Sequence, residues 1–201
     1  MARIDPLPTS SSGFLVRFVY WLARRRFGRV PAPLGITAYH RWVLAAYATF
    51  EGAFERARAV EPRLKELAMI KVATEIGCRF CIDIGSAIAK GHGLREEQLR
   101  DLPEYLDSVH FSTLEKRILD YAVHMTRTPQ TVSDELFSYL SAQLGTPALV
   151  ELTAAIAWEN YRARFNHAFG AKEEGYSKGT LCLLPATPER SGLARPSPEH
   201  S

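Results

Sequence analysis

No segment of this chain alternates polar and apolar residues at period two. Its apolar residues recur at helical spacing, and glycine or proline cuts the pattern at short intervals. Such a chain has no strand from which to build a sheet. The punctuation predicts helices near 14–27, over 37–58 with Thr37 as N-cap, and over 62–76 with Pro62 in the first turn. Further helices are expected over 78–90, closed by Gly91-His92-Gly93, from Ser112/Thr113 through Met125, over Ser133–Leu144, and from Pro147 to Phe169. Gly28 to Gly35 reads as a turn-rich connector and Leu94 to Leu99 as a short turn. The expected fold class is all-α, built on antiparallel helical hairpins. Residues 1–36 read as a basic N-terminal arm or helix, 37–175 as the helical domain, and 176–201 as an extended, proline-rich tail.

Charge narrows the partners. Residues 1–30 hold six arginines against Asp5 alone, a net +5; with +3 for the whole chain, the remainder carries −2. A near-neutral body argues against nucleic acid. Residues 14–23 (FLVRFVYWLA) resemble a signal-peptide core, but Arg17 interrupts them, Arg24–Arg26 follow directly, and a small-residue cleavage site is missing. The segment reads as a retained amphipathic helix packed on its own domain or on a neighbouring subunit, with a membrane-surface role as the alternative. Three cysteines, an odd number, do not make a secreted disulfide scaffold, which points to a reducing compartment, the cytoplasm.

Two of those cysteines form Cys78-Arg79-Phe80-Cys81. If Gly77 ends one helix and Cys78 starts the next, both thiols lie in a first turn. Unpaired backbone N–H groups and the helix dipole there ease thiolate formation. Positions i and i+3 share a face, and first-turn geometry can meet the Cβ separation of about 4.5 Å that a disulfide needs. Cys78 is expected to be the more exposed thiol and Cys81 one turn deeper, with Gly85 leaving open space above it. Asp83 and Ser86 point away and read as local hydrogen-bonders.

On the preceding helix, at about 100° per residue, Glu66 shares a face with Met69, Ile70, Ala73 and Gly77. Glu75, nine positions on, lies about 180° away beside Lys71. Glu66 is therefore the carboxylate on the apolar face, where burial raises a pKa and suits a group to general-base work; the bland reading is a bond to backbone or to an arginine of another helix. Zinc needs four ligands, and Cys182, His92, His110, His124 and His167 are scattered without ligand spacing. No metal and no cofactor are expected.

Lys65-Glu66-Leu67-Ala68, eight intervening residues, Gly77-Cys78-Arg79-Phe80-Cys81, and a helix ending Lys90-Gly91-His92-Gly93 together resemble the carboxymuconolactone decarboxylase superfamily, in its alkylhydroperoxidase D (AhpD)-like branch. Leu114–Thr128 with Val132–Phe137, and Asn160–His167, resemble that family's second helix pair and closing helix, so the likeness spans roughly residues 40–170. The resemblance implies an AhpD-like helical domain, a homo-oligomer, and a peroxidase-like oxidoreductase with an antioxidant role. Its Cys78/Cys81 dithiol would cycle through a disulfide, with Cys81 as the attacking thiol and Glu66, twelve positions before Cys78, as proton relay. Its partners would be a hydroperoxide and a dithiol or thioredoxin-type reductant. The family's peroxidase pattern has a histidine between the cysteines and another four residues after the second. This chain has Phe80 and Gly85 there, which leaves His167 as a candidate relay and peroxidase efficiency open. The alternatives are a decarboxylase-like lyase acting on a small cyclic acid, and a non-enzymatic redox-sensing oligomer.

Overall fold

The computed structural model describes residues 2–178, which form helices and connections with no strand among them. The helices are α1 (Phe14–Phe27), α2 (Ala32–Thr37), α3 (Arg41–Phe54), α4 (Pro62–Ile76), α5 (Arg79–Gly91), α6 (Glu96–Asp101), α7 (Thr113–Thr126), α8 (Asp134–Leu144) and α9 (Thr146–Ala168). The fold class is all-α and AhpD-like, as the spacing and the resemblance imply.

Helix α4 is the central element, packed against α5, α7 and α9. Leu67, Ile70 and Ala73 join a core with Cys78, Cys81, Leu99 and Leu119. Leu64, Ala68 and Val72 join a second core with Ile118, Leu140, Leu152 and Ile156. A helix buried on both flanks has little polar surface left, and its two lysines are buried with partners. Lys65 Nζ lies 2.6 Å from Glu151 Oε1, and Lys71 Nζ lies 2.8 Å from Glu75 Oε1 and donates to the Leu102 carbonyl at 3.2 Å.

Two local expectations fail for identifiable reasons. Pro31 and Pro33 open a short helix, α2, instead of a loose connector, and Thr37 closes it, its Oγ1 donating to the Leu34 carbonyl at 2.8 Å. The N-cap of α3 is therefore His40, whose Nδ1 accepts from the Val43 N–H at 3.4 Å. Between Leu94 and Leu99, Glu96 and Glu97 sit in the first turn of a real helix, α6, where acidic residues suit the dipole. Gln98 Oε1 accepts from the Arg95 N–H at 3.2 Å and so secures its start.

Residues 2–36 pack on the helices that follow them. Val16, Val19 and Tyr20 of α1 form a third core with Ala38 and Leu44. Tyr20 Oη donates to the Leu7 carbonyl at 2.7 Å, and Arg3 N–H donates to the Phe169 carbonyl at 2.8 Å. At the other end, residues 171–178 cross α5 as a strap. Asp83, 1% exposed, accepts from the N–H groups of Glu174, Tyr176 and Ser177 at 2.8, 3.0 and 2.8 Å. Asp83 is thus a long-range anchor and not a local hydrogen-bonder, because its side chain points out of α5 toward the returning chain. Of the tail expected over 176–201, residues 176–178 belong to this strap, and the rest, Cys182 included, lies outside the described residues. No helix among the described residues is long and apolar enough to cross a membrane.

Candidate functional site

The α4–α5 hairpin is made by the chain's own punctuation. Gly77 has φ of +76°, a conformation that glycine adopts without strain. Cys78 N–H reaches the Ala73 carbonyl at 3.0 Å, and Gly77 N–H reaches the Thr74 carbonyl at 3.1 Å, which closes α4 with a Schellman motif. The next residue caps α5: Cys78 Sγ accepts from the Cys81 N–H at 3.2 Å. Cys78 and Cys81 are joined by a disulfide, with Cα atoms 5.3 Å apart.

Exposure runs opposite to expectation. Cys78 is 2% exposed and Cys81 6%, and it is Cys81 that lines a cavity of about 580 Å³. Cys78 is an N-cap tucked under the helix start, so its sulfur is spent on the Cys81 amide. Cys81, Ile84, Gly85 and Ile88 make one stripe of α5 along the cavity, continued by His92 at its C-cap. A Cβ on Gly85 would come no nearer than 3.9 Å to Ile70, so there is space above Cys81.

The opposite wall is polar. Asn166 Nδ2 donates to Cys81 Sγ at 3.3 Å. One turn back along α9, Arg162 donates to Glu51 Oε1 at 2.7 Å and to Glu159, and Trp158 Nε1 donates to the same Glu51 oxygen at 2.8 Å. All five residues line the cavity, as do Glu66 and Tyr47. Burial pushes the Glu159 carboxyl up to about 7, Arg162 offsetting part of it while Glu51 and Glu66 add to it. Burial likewise raises Glu66, against the pull of Arg162 and His92. For Glu51 burial acts upward, but Arg162 and the hydrogen bonds from Trp158 and Arg162 outweigh it and hold the group below its ordinary value.

Glu66 is on the cavity face of α4, its side chain 13% exposed, and the group that reaches it is His92, with Nδ1 3.7 Å from Oε1. His92 lies eleven residues along α5 from Cys81, about 16 Å at 1.5 Å per residue. Arg162 and Asn166 line the same cavity as Glu66 and Cys81. Glu75, by contrast, is exposed and bound to Lys71. His167 is exposed and outside the cavity; its neighbour Asn166, about 100° round the helix, is the residue on Cys81. Phe80 is buried and packs edge-on against Tyr176 of the strap, ring centroids 6.2 Å apart. The sequence reading missed Asn166, Arg162, Glu159, Glu51 and the contact role of His92. Among the described residues no group of three or more His, Cys, Asp or Glu is placed to hold a metal ion.

Comparison with known proteins places this geometry. The model of the carboxymuconolactone decarboxylase family matches residues 41–124. YnjA of Escherichia coli K12, itself uncharacterized, is 32% identical over 179 residues, which cover 89% of this chain and 96% of YnjA. This chain belongs to the carboxymuconolactone decarboxylase family. The AhpD-like fold recurs in the debrominase Bmp8, with TM-score 0.78, 20% identity, and coverage of 89% of this chain and 95% of that one. A cysteine-to-alanine variant of Bmp8 has also been solved in complex with 2,3,4-tribromopyrrole. The alkylhydroperoxidase AhpD core of a peroxidase-related protein from Ralstonia eutropha JMP134 matches with TM-score 0.77 and 15% identity, over 88% of this chain and 94% of that one. Carboxymuconolactone decarboxylase family members are enzymes of several kinds.

Proposed function

We propose that this protein is a cytoplasmic thiol-dependent antioxidant enzyme that reduces organic hydroperoxides through a Cys78/Cys81 dithiol–disulfide cycle. The observation that carries the reading is the asymmetry of the pair: Cys81 lines a cavity that also holds titratable carboxyls, while Cys78 lies behind it within disulfide reach. The Cys81 thiolate attacks the terminal peroxide oxygen, the O–O bond breaks, and the alcohol leaves with a proton. The resulting sulfenic acid is attacked by the Cys78 thiol, which expels water and forms the disulfide. The sum is one hydroperoxide and two thiols giving one alcohol, one water and one disulfide. Asn166 orients the sulfur, and Glu66, on the cavity face of α4, is the group that exchanges the proton with the cavity. A thioredoxin-type dithiol returns the pair to the thiols, and the working unit is a homo-oligomer.

The test is hydroperoxide turnover with a dithiol donor, with thiols counted before and after oxidant. Cys81→Ser is expected to abolish turnover, whereas Cys78→Ser retains a single-turnover sulfenic acid. Two thiols that stay unreactive toward peroxide defeat the reading.

A second reading follows from the apolar lining and the likeness to Bmp8. In reductive dehalogenation the Cys81 thiolate would take the halogen from an aryl halide, the carbon would take a proton, and Cys78 would displace halide as the disulfide forms. Halide release from a bromopyrrole, with no response to peroxide, favours this reading over the first.

A further inference from the structure

The cavity has two unlike halves. Its apolar wall includes Val19, Leu22, Ala23 and Phe27 of α1, which lies outside the residues matched by the family model. At about 580 Å³ the space is within the range of sites for organic ligands and far beyond the roughly 30 Å³ of a water-sized molecule. Hydrogen peroxide would leave the apolar wall unused.

The polar half has little uncommitted positive charge. Three carboxyl groups, Glu51, Glu66 and Glu159, face one guanidinium, and Arg162 already donates to two of them. Of the other cations along the lining, Lys65 is held by Glu151 and Arg26 by Glu55, while Arg58 is exposed at the edge. An anionic ligand would shed its hydration beside Cys81 with no uncommitted cation to receive it, and with carboxylates nearby. A neutral acceptor has a partner. Arg162 Nε is buried and has no hydrogen-bond partner among the described residues, and it lies one turn from the Asn166 that holds Cys81.

We propose that the cavity over Cys81 selects uncharged, largely apolar oxidants, with α1 supplying the apolar wall and the Glu51–Arg162–Glu159 cluster with Glu66 excluding anions. The inference rests on the peroxide-reducing reading and adds its substrate class. The test follows loss of the Cys78/Cys81 thiols in the pre-reduced full chain at pH 7.5, without a reductant. The oxidants are cumene hydroperoxide, its para-carboxylate analogue and hydrogen peroxide. The carboxylate is expected to react at least about tenfold more slowly than its neutral parent, since charges in such a site interact through an effective dielectric of about 20. Hydrogen peroxide is expected to be slower than cumene hydroperoxide. Leu22, 45% exposed at the cavity edge, tests the wall: Leu22→Lys should raise the carboxylate-to-neutral rate ratio by at least about threefold.

Equal rates for the neutral and carboxylate compounds, or faster reaction with hydrogen peroxide, overturn the substrate class and leave peroxide reduction standing. An unchanged ratio in Leu22→Lys removes α1 from the selecting surface. Thiols untouched by all three oxidants defeat this inference together with the reading beneath it.

Discussion

Replacing Glu159 by glutamine should change the stability of the protein by an amount that depends on pH, and in a defined direction. The Glu159 side chain is 6% exposed. Burial holds its carboxyl up to about 7 in the folded protein, against an ordinary value of 4.5. Below pH 4.5 both folded and unfolded chains carry the proton, and the group adds no pH dependence. Between 4.5 and 7 the unfolded chain ionises while the folded one keeps its proton, so folding loses free energy as pH rises. At about 1.4 kcal/mol per pH unit the loss totals about 3 kcal/mol, and it is constant above pH 7. Glutamine keeps the shape and an acceptor oxygen for Arg162 but cannot ionise. The variant should therefore gain about 3 kcal/mol relative to the parent between pH 4.5 and pH 8, whatever fixed offset the weakened Arg162 contact imposes. Urea unfolding followed by helical circular dichroism across that range measures the difference. A difference between parent and variant that is flat to within about 1 kcal/mol from pH 4.5 to 8 would falsify the buried-carboxyl account.

Two other substitutions probe the frame around the site. Asp83→Ala leaves three N–H groups of the strap without their acceptor, and at about 1 kcal/mol for each lost hydrogen bond it should cost about 2–3 kcal/mol, measured by chemical denaturation at pH 7. The Asp83 carboxyl is held below its ordinary value: burial acts upward, but the N–H groups of Ser177, Tyr176 and Glu174 outweigh it. Its stabilisation is therefore present above the unfolded pKa and lost as pH falls through the folded one, so the penalty of Asp83→Ala should shrink in acid. Gly85→Ala adds a Cβ at an ordinary 3.9 Å from Ile70 and should stabilise α5 by about 0.5–1 kcal/mol; a lower thermal midpoint for that variant would mean that the space above Cys81 cannot take a methyl group.

The parts of the molecule legible in the sequence are those decided within a few residues. Gly77 followed directly by Cys78, Pro62 at the start of α4, and the glycines after α5 and α8 each settle a helix end by local backbone chemistry. The hairpin that carries the dithiol was readable for that reason. The α2 and α6 helices were not, because each is six residues long, too short for periodicity to register. The capping geometry of Cys78 was readable as well, but not its consequence. An N-cap side chain folds back onto its own helix, so the cysteine nearer the helix end is the better buried of the two.

Helical phase and helical rise carry different information, and Glu66 separates them. Phase placed it on the face of α4 that looks at the cavity, and the structure has it there. Rise determines where along the cavity it lies. In an antiparallel hairpin a residue moves about 1.5 Å from the turn with each step back along the chain, so Glu66, eleven residues before Gly77, stands far up α4. The group that meets it there is His92, the residue that follows the end of α5. Twelve positions before a cysteine is thus a spacing that fixes the face and, by the same geometry, keeps the carboxyl away from the sulfur. The distance must be bridged by groups from elsewhere in the chain. Arg162 and Asn166 on α9 stand more than eighty residues beyond Cys81 in sequence. In the bare sequence Glu159 and Arg162 look like any surface pair at i and i+3. Only the packing of α9 across α4 turns that pair inward and makes it part of the polar wall of the cavity that Cys81 lines.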